Sequence, residues 1–185
     1  LEHQDDYVML CDQDDVWLPD KIERTLFAME KAEEQAGKET PVLVHTDLTV
    51  VDEDLRVLAS SYRHTVNGNW QRTALHWELA QNTVTGCTAM YNRALGDLLQ
   101  DEPSFFVMHD WWLALTASAF GLIVPLDEAT ILYRQHGDNA VGAKFVRSPR
   151  YLLRRLFDVK GYRKELAETF LQSESFYDAF RDRLS

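Results

Sequence analysis

Three carboxylates occupy four positions in the stretch YVMLCDQDDVWLPDK, residues 7 to 21: Asp12, Asp14 and Asp15 follow directly on an apolar run. Like charges this crowded repel one another unless a cation or hydrogen-bond donors offset them. Asp12 and Asp14, on alternate positions, can converge on one point. A divalent ion is the simplest offset. Ligands that are all oxygen suit Mg2+ or Mn2+, which keep waters and bridge to substrate phosphates. The bland reading is a solvated turn with a helix-capping acid. An EF-hand is excluded, because Trp17 stands where the sharp turn of that loop needs glycine.

Such a cluster needs elements to position it. In an open α/β sheet ligands sit beyond the carboxyl ends of the strands. Residues 6 to 11 read as a strand ending at the cluster, buried on both faces because its apolar run is continuous rather than alternating. Pro19 to Gln35 reads as a helix: proline suits a first turn, Ile22, Leu26, Met29 and Ala32 recur at helical spacing, and Gly37 is placed to stop it. Residues 41 to 52 read as strand, polar break and strand, and 53 to 61 as a turn with a short extension. Further on, 73 to 82 reads as helix, 85 to 92 as strand, 93 to 100 as a short helix, and 109 to 121 as a helix stopped by Gly121. Residues 122 to 136 make one or two strands. Strands alternating with helices predict an α/β domain with a mixed, mainly parallel sheet flanked by helices, over residues 1–144. Residues 145–185 read as two helices packed on it.

Composition narrows the function. With 45% apolar and 11% aromatic residues among 185, the chain can bury a sizeable core. A net charge of -11 argues against nucleic acid as a partner, since phosphate contacts need a basic face. Cys11 and Cys87 are too few for a disulfide framework and lack metal-type spacing, so both are expected reduced, buried and cytoplasmic. The longest apolar stretch, 111 to 124, is too short to span a bilayer and reads as a core helix. Basic charge is concentrated between Lys144 and Lys164, with eight Lys or Arg against one acid, Asp158. There Tyr151, Leu152, Leu153, Leu156 and Phe157 alternate with arginines, as in an amphipathic helix with a basic face. It either docks peripherally on an anionic surface, the inner face of the plasma membrane, or packs its apolar side on the preceding domain with its arginines facing the acidic remainder.

Two enzyme families place such carboxylates after a strand. In the haloacid-dehalogenase-like phosphatases the DxDx(T/V) motif is met here by Asp12, Asp14 and Val16, with Asp12 as nucleophile and Asp14 as acid/base. The longer string DQDDVWLPDKIE, however, closely resembles the bacterial rhamnosyltransferase-like members of the family 2 glycosyltransferases, which have a GT-A fold and chelate a metal on a sugar-nucleotide diphosphate through a DxD motif. Three downstream segments are similar to that family in the same order. NTVTGCTAMYNRAL (82 to 95) matches the loop and strand lining the donor sugar and acceptor, with Gly86 allowing close backbone approach. MHDWWLAL (108 to 115) matches the (E/H)D before an apolar helix, where Asp110 would take the proton of the acceptor hydroxyl, a cap, or both. YRQHGDNAVG (133 to 142) places His136 where related transferases contact the metal or the diphosphate, and Arg134 nearby could add positive charge or simply form a surface ion pair.

The resemblance implies an inverting transfer from a nucleotide diphosphate sugar, deoxythymidine diphosphate rhamnose in particular, to a saccharide or lipid-linked saccharide acceptor in cell-surface polysaccharide synthesis. Mn2+ or Mg2+ would be held by Asp14 and Asp12, with Asp12 alternatively reaching ribose, Asp15 orienting the sugar and Asp110 acting as base. Such enzymes carry roughly 80 to 90 residues, two βαβ-like units, ahead of the DxD. The expectation is therefore a fragment whose nucleotide pocket is incomplete. A phosphatase and a non-catalytic saccharide-binding domain are the competing classes.

Overall fold

A computed structural model describes residues 5–66, 69–99, 103–135 and 159–184. Among the described residues of this α/β chain, six strands and five helices follow one another as β1 (Tyr7–Met9), β2 (Val16–Trp17), α1 (Lys21–Ala36), β3 (Val42–Val51), β4 (Val57–Ala59), α2 (Leu75–Glu78), β5 (Ala89–Asn92), α3 (Arg93–Gly96), α4 (His109–Phe120), β6 (Leu122–Arg134) and α5 (Val159–Phe180). Single 3-10 turns precede β5 at Gly86–Thr88 and follow α3 at Asp97–Leu99.

The strands form one mixed sheet in the order β1-β5-β3-β6-β2, with β4 on β3. Helices flank it as expected. The expectation of a mainly parallel sheet holds only in the longest pairing: β3 and β6 run parallel from Val42↔Leu122 to Val51↔Arg134, and the other pairings described are antiparallel. The polar break expected between two strands at His45, Thr46 and Asp47 is a pair of register shifts inside one long strand. A bulge lets β3 continue while re-aiming these polar side chains.

Alternation along β3 and β5 loads both faces of the sheet. Leu43, Ala89, Tyr91 and Ile123 pack with Leu113, Ala114 and Ala117 of α4. On the opposite face Val42, Val44 and Met90 pack with Met29 and Ala32 of α1. A third cluster, Leu48, Val50, Cys87 and Ile131 with Trp17 against it, lies at the far end of β3. Helix α4 is buried almost all round, from Trp112 to Ala117, because α5 covers the side that the sheet does not.

Several expectations shift. The apolar run at 6 to 11 is not buried on both faces: β1 is half-buried and pairs only with β5 among the described residues, so it is an edge strand. Cys11 is exposed, although Cys87 is buried. Helix α1 begins two residues later than expected, after an Asp20 N-cap that leaves Pro19 outside it, and ends as expected at Gly37, whose positive φ of 93° glycine alone adopts easily. Its buried stripe, however, is Lys21, Thr25, Met29, Ala32 and Glu33, while Ile22 is 54% exposed. The helix is thus turned to bring a lysine inward. Of the two helices expected in 145–185, α5 is described; the first, most of the basic stretch 144–164 and the boundary after residue 144 lie outside the described residues. No helix among the described residues is long and apolar enough to cross a membrane.

Candidate active site

The acidic loop is held from beneath and from the side. After β1, a turn closed by the Asp15 N–H donating to Asp12 O at 3.4 Å leads into β2, which pairs with Ile131 and Leu132 of β6. Arg134, at the end of β6, bonds that loop through two donors and the turn after β3 through a third. Its backbone N–H bonds Asp15 Oδ1 at 3.2 Å, its Nε bonds Asp14 O at 3.0 Å, and its Nη1 bonds Glu53 O at 2.6 Å. The guanidinium therefore ties the carboxylate loop to the turn after β3, and Asp14 engages it through the main chain.

Asp12, Asp15 and Cys87 come together, with one ligand atom from each inside 4.8 Å of the others. Asp15 Oδ2 is buried with no hydrogen-bond partner among the described residues. Burial raises the Asp15 carboxyl above its ordinary range, and the charges of Asp12 and Asp14 add to the rise. The Arg134 amide and the neighbouring Cys87 thiol oppose it. Burial, reinforced by Asp15 and Asp12, pushes the Cys87 thiol far up, so it stays protonated. Two carboxylates with an orphaned buried oxygen fit a divalent cation that keeps several waters, and the neutral thiol makes a wall of that space rather than an anionic ligand. Asp14 is not in this cluster, and His136 lies outside the described residues.

Beneath the loop sits Lys21, fully buried, its Nζ without a hydrogen-bond partner among the described residues and 5.1 Å from the centre of the Trp17 ring. Desolvation lowers its pKa to about 8 against the pull of Cys87, Cys11 and Asp15. The ammonium is an internal counter-charge to the acidic loop. Nothing in helical periodicity marks Lys21 as buried; the signal available was its place inside the string VWLPDK.

Gly86 and Asp110 meet. The Gly86 N–H donates to Asp110 Oδ2 at 3.1 Å, and the Trp111 N–H to Asp110 Oδ1 at 2.7 Å. Met108, not Asp110, is the N-cap of α4, so the carboxylate lies inside the first turn, where a helix N-terminus favours negative charge. A Cβ on Gly86 would stand 2.9 Å from His109 Nε2 and at an ordinary 3.4 Å from Asp110 Cβ, so a larger residue here would press on the His109 ring. Burial raises the Asp110 carboxyl, while His109 and the Gly86 and Trp111 amides hold it down. An ionisable carboxylate with an elevated pKa at the edge of a core is suited to accepting a proton.

Two further buried polar groups escaped sequence reasoning. Glu78 is fully buried and pushed up to about 7 by desolvation. It accepts from the Thr83 N–H at 3.2 Å and from the Thr83 hydroxyl, while its main-chain oxygen receives Trp111 Nε1 at 2.6 Å. It braces the segment leading to Gly86 against the start of α4. His45, lowered to about 3 by burial and by Arg63, is neutral. Its Nδ1 lies 3.2 Å from Arg63 Nη2, and Asp47 receives the Leu48 and Arg63 amides and the Ser61 hydroxyl. The polar break HTD in β3 carried that signal.

No family model matches the chain. Over 174 residues the chain is 25% identical to the dTDP-rhamnosyl transferase RfbG of Shigella flexneri, a match covering 88% of the chain and 54% of that protein. The chain thus spans about half the length of the curated relative it matches, and its similarity is to a glycosyltransferase.

Proposed function

We propose that the chain carries metal, donor and acceptor chemistry of an inverting, metal-dependent family 2 glycosyltransferase with a GT-A fold. It would move rhamnose from a deoxythymidine diphosphate donor to a saccharide or lipid-linked saccharide acceptor of cell-surface polysaccharide. The observation that carries this reading is an adjacency: Gly86 is bonded to Asp110, and the next residue, Cys87, reaches Asp12 and Asp15. A proton acceptor and a carboxylate pair therefore both adjoin one dipeptide, Gly86-Cys87.

Asp12 and Asp15 would hold Mn2+ or Mg2+, the group that offsets charge on the departing diphosphate when bound, and Asp14 would serve the loop through its main-chain bond to Arg134. Asp110 would take the proton of the acceptor hydroxyl as that oxygen displaces the diphosphate from the sugar. Its carboxylate is kept in place by the Gly86 and Trp111 amides. Arg134 would act indirectly, by fixing the loop through the oxygens of Asp14 and Glu53. His136 would approach the metal or the diphosphate from the segment after β6.

The test is release of nucleoside diphosphate from a panel of sugar nucleotides by the full-length gene product, with Mn2+ or Mg2+ and a saccharide acceptor. Release that disappears with chelator and in Asp12→Asn and Asp15→Asn supports the reading and identifies the donor. No release from any donor, together with phosphate liberated from simple monoesters in an Asp12-dependent way, replaces it with the phosphatase reading.

A further inference from the structure

Helix α5 docks by only part of its circumference. Phe176 and Phe180 pack on Trp112 of α4, with ring centroids 5.4 and 6.1 Å away. Gln172 and Ser175 receive the Val107 and Phe105 amides at 2.8 and 3.0 Å. On a different face Tyr162, Leu166, Phe170 and Tyr177 are 56%, 43%, 67% and 60% exposed. Their spacing of four, four and seven residues puts them on one stripe, roughly 22 Å long at 1.5 Å per residue. Single exposed apolar side chains are ordinary, but four aligned ones with three aromatic rings mark an interaction surface.

The charges beside the stripe identify what fits it. Lys160 and Arg163 lie toward the start of α5, Glu174 and Asp178 toward its end, and all four are exposed. Arg163 and Glu174 are about three helical turns apart, Lys160 and Asp178 about five, so each pair falls on the same edge of the stripe. When two copies of one helix pair antiparallel about a two-fold axis, like edges face each other. An axis near residue 169 sets Lys160 against the partner's Asp178 and brings Tyr162 within about one residue of the partner's Tyr177 and Arg163 within about one residue of the partner's Glu174. In a parallel two-fold pair unlike edges face each other, so these four charges would not meet.

We propose that the exposed stripe of α5 is the interface of a two-fold symmetric dimer of this chain, with the two α5 helices antiparallel. The four side chains offer on the order of 400 Å² of apolar surface per copy. For the pair that is about 800 Å², below the size of most stable specific interfaces, so the dimer is weak and concentration-dependent. The assignment is independent of the enzymatic reading, because none of these residues belongs to the candidate active site.

Sedimentation velocity over a concentration series tests it. The unmodified protein is expected to shift from monomer to dimer. Phe170→Glu, at a site 67% exposed and outside the core, should leave the fold and its melting temperature intact and weaken association at least about tenfold. Arg163→Glu should weaken it by placing like charges together, and Arg163→Glu combined with Glu174→Arg should restore it. A monomer at every concentration overturns the proposal. So does a dimer indifferent to Phe170→Glu, failure of the double reversal to restore association, or pelleting with anionic vesicles in place of self-association.

Discussion

Asp110 is the residue on which the proposed chemistry turns, and its surroundings set a pH dependence. A base must be ionised to work, and burial raises the pH at which this carboxyl ionises. Activity should therefore climb with pH along a limb above the ordinary carboxylate range. His109 holds the Asp110 pKa down, so His109→Ala should move that limb to higher pH, as read from kcat/KM against pH. Asp110→Asn should lower kcat by about 10²- to 10⁴-fold with the fold retained, measured by initial rates beside a thermal melt. Gly86→Ala tests the approach of the loop. No positive φ is involved, and the His109 ring can swing away from the new methyl group, so stability should change little. The new methyl meets Asp110 only at ordinary contact distances of 3.4 and 3.6 Å, so the rate should change less than in Asp110→Asn, as initial rates beside a thermal melt would show. The meeting of Gly86 with Asp110 was foreseeable only as two separate motifs. What joins them is a single hydrogen bond between residues 24 apart, which no local pattern encodes. Lys21 shows the opposite limit: periodicity favoured Ile22 for the core, yet the helix turns to bury a charge beside the acidic loop.

At the level of elements, the junctions carry the sharpest constraints. Gly121 joins α4 to β6, and a Cβ there would lie 1.8 Å from the Pro41 oxygen, a backbone atom that cannot move aside because it also accepts the Leu122 N–H at 3.0 Å. Gly121→Ala should destabilise by more than about 3 kcal/mol, seen as a large fall in melting temperature or in soluble yield. Helix α2 holds a different liability. Glu78 has a folded pKa raised to about 7 from 4.5, so the stability it contributes is full below pH 4.5 and is lost as pH rises through 7. In Glu78→Gln the amide can donate to the Thr83 hydroxyl and accept from its N–H. That variant should match the parent in thermal melts near pH 4 and exceed it at pH 8. Helix and strand positions were largely legible, since apolar spacing and the stops at Gly37 and Gly121 are local signals. Strand order and direction were not. The antiparallel pairings of β5 depend on which edges meet across the sheet, and a continuous apolar run reads the same in an edge strand such as β1 as in a central one.

For the molecule as a whole, net acidity and the Asp12, Asp15 and Cys87 cluster predict stabilisation by divalent cations. Mn2+ at a hundredfold excess over its dissociation constant should add about 2.7 kcal/mol, several degrees in melting temperature, and Asp15→Asn should remove most of that gain. The assembly of this region also has a temporal side. Its longest ladder joins Val42 to Leu122, partners about 80 residues apart in sequence, and both the acidic loop and Arg134 depend on that ladder for their positions. Closing so long a loop costs chain entropy before any pairing returns it. Helix α1 can form early from local contacts, whereas the carboxylate cluster can come together only after the late docking of β6 on β3. During refolding, recovery of divalent-cation affinity should therefore lag behind recovery of helical signal.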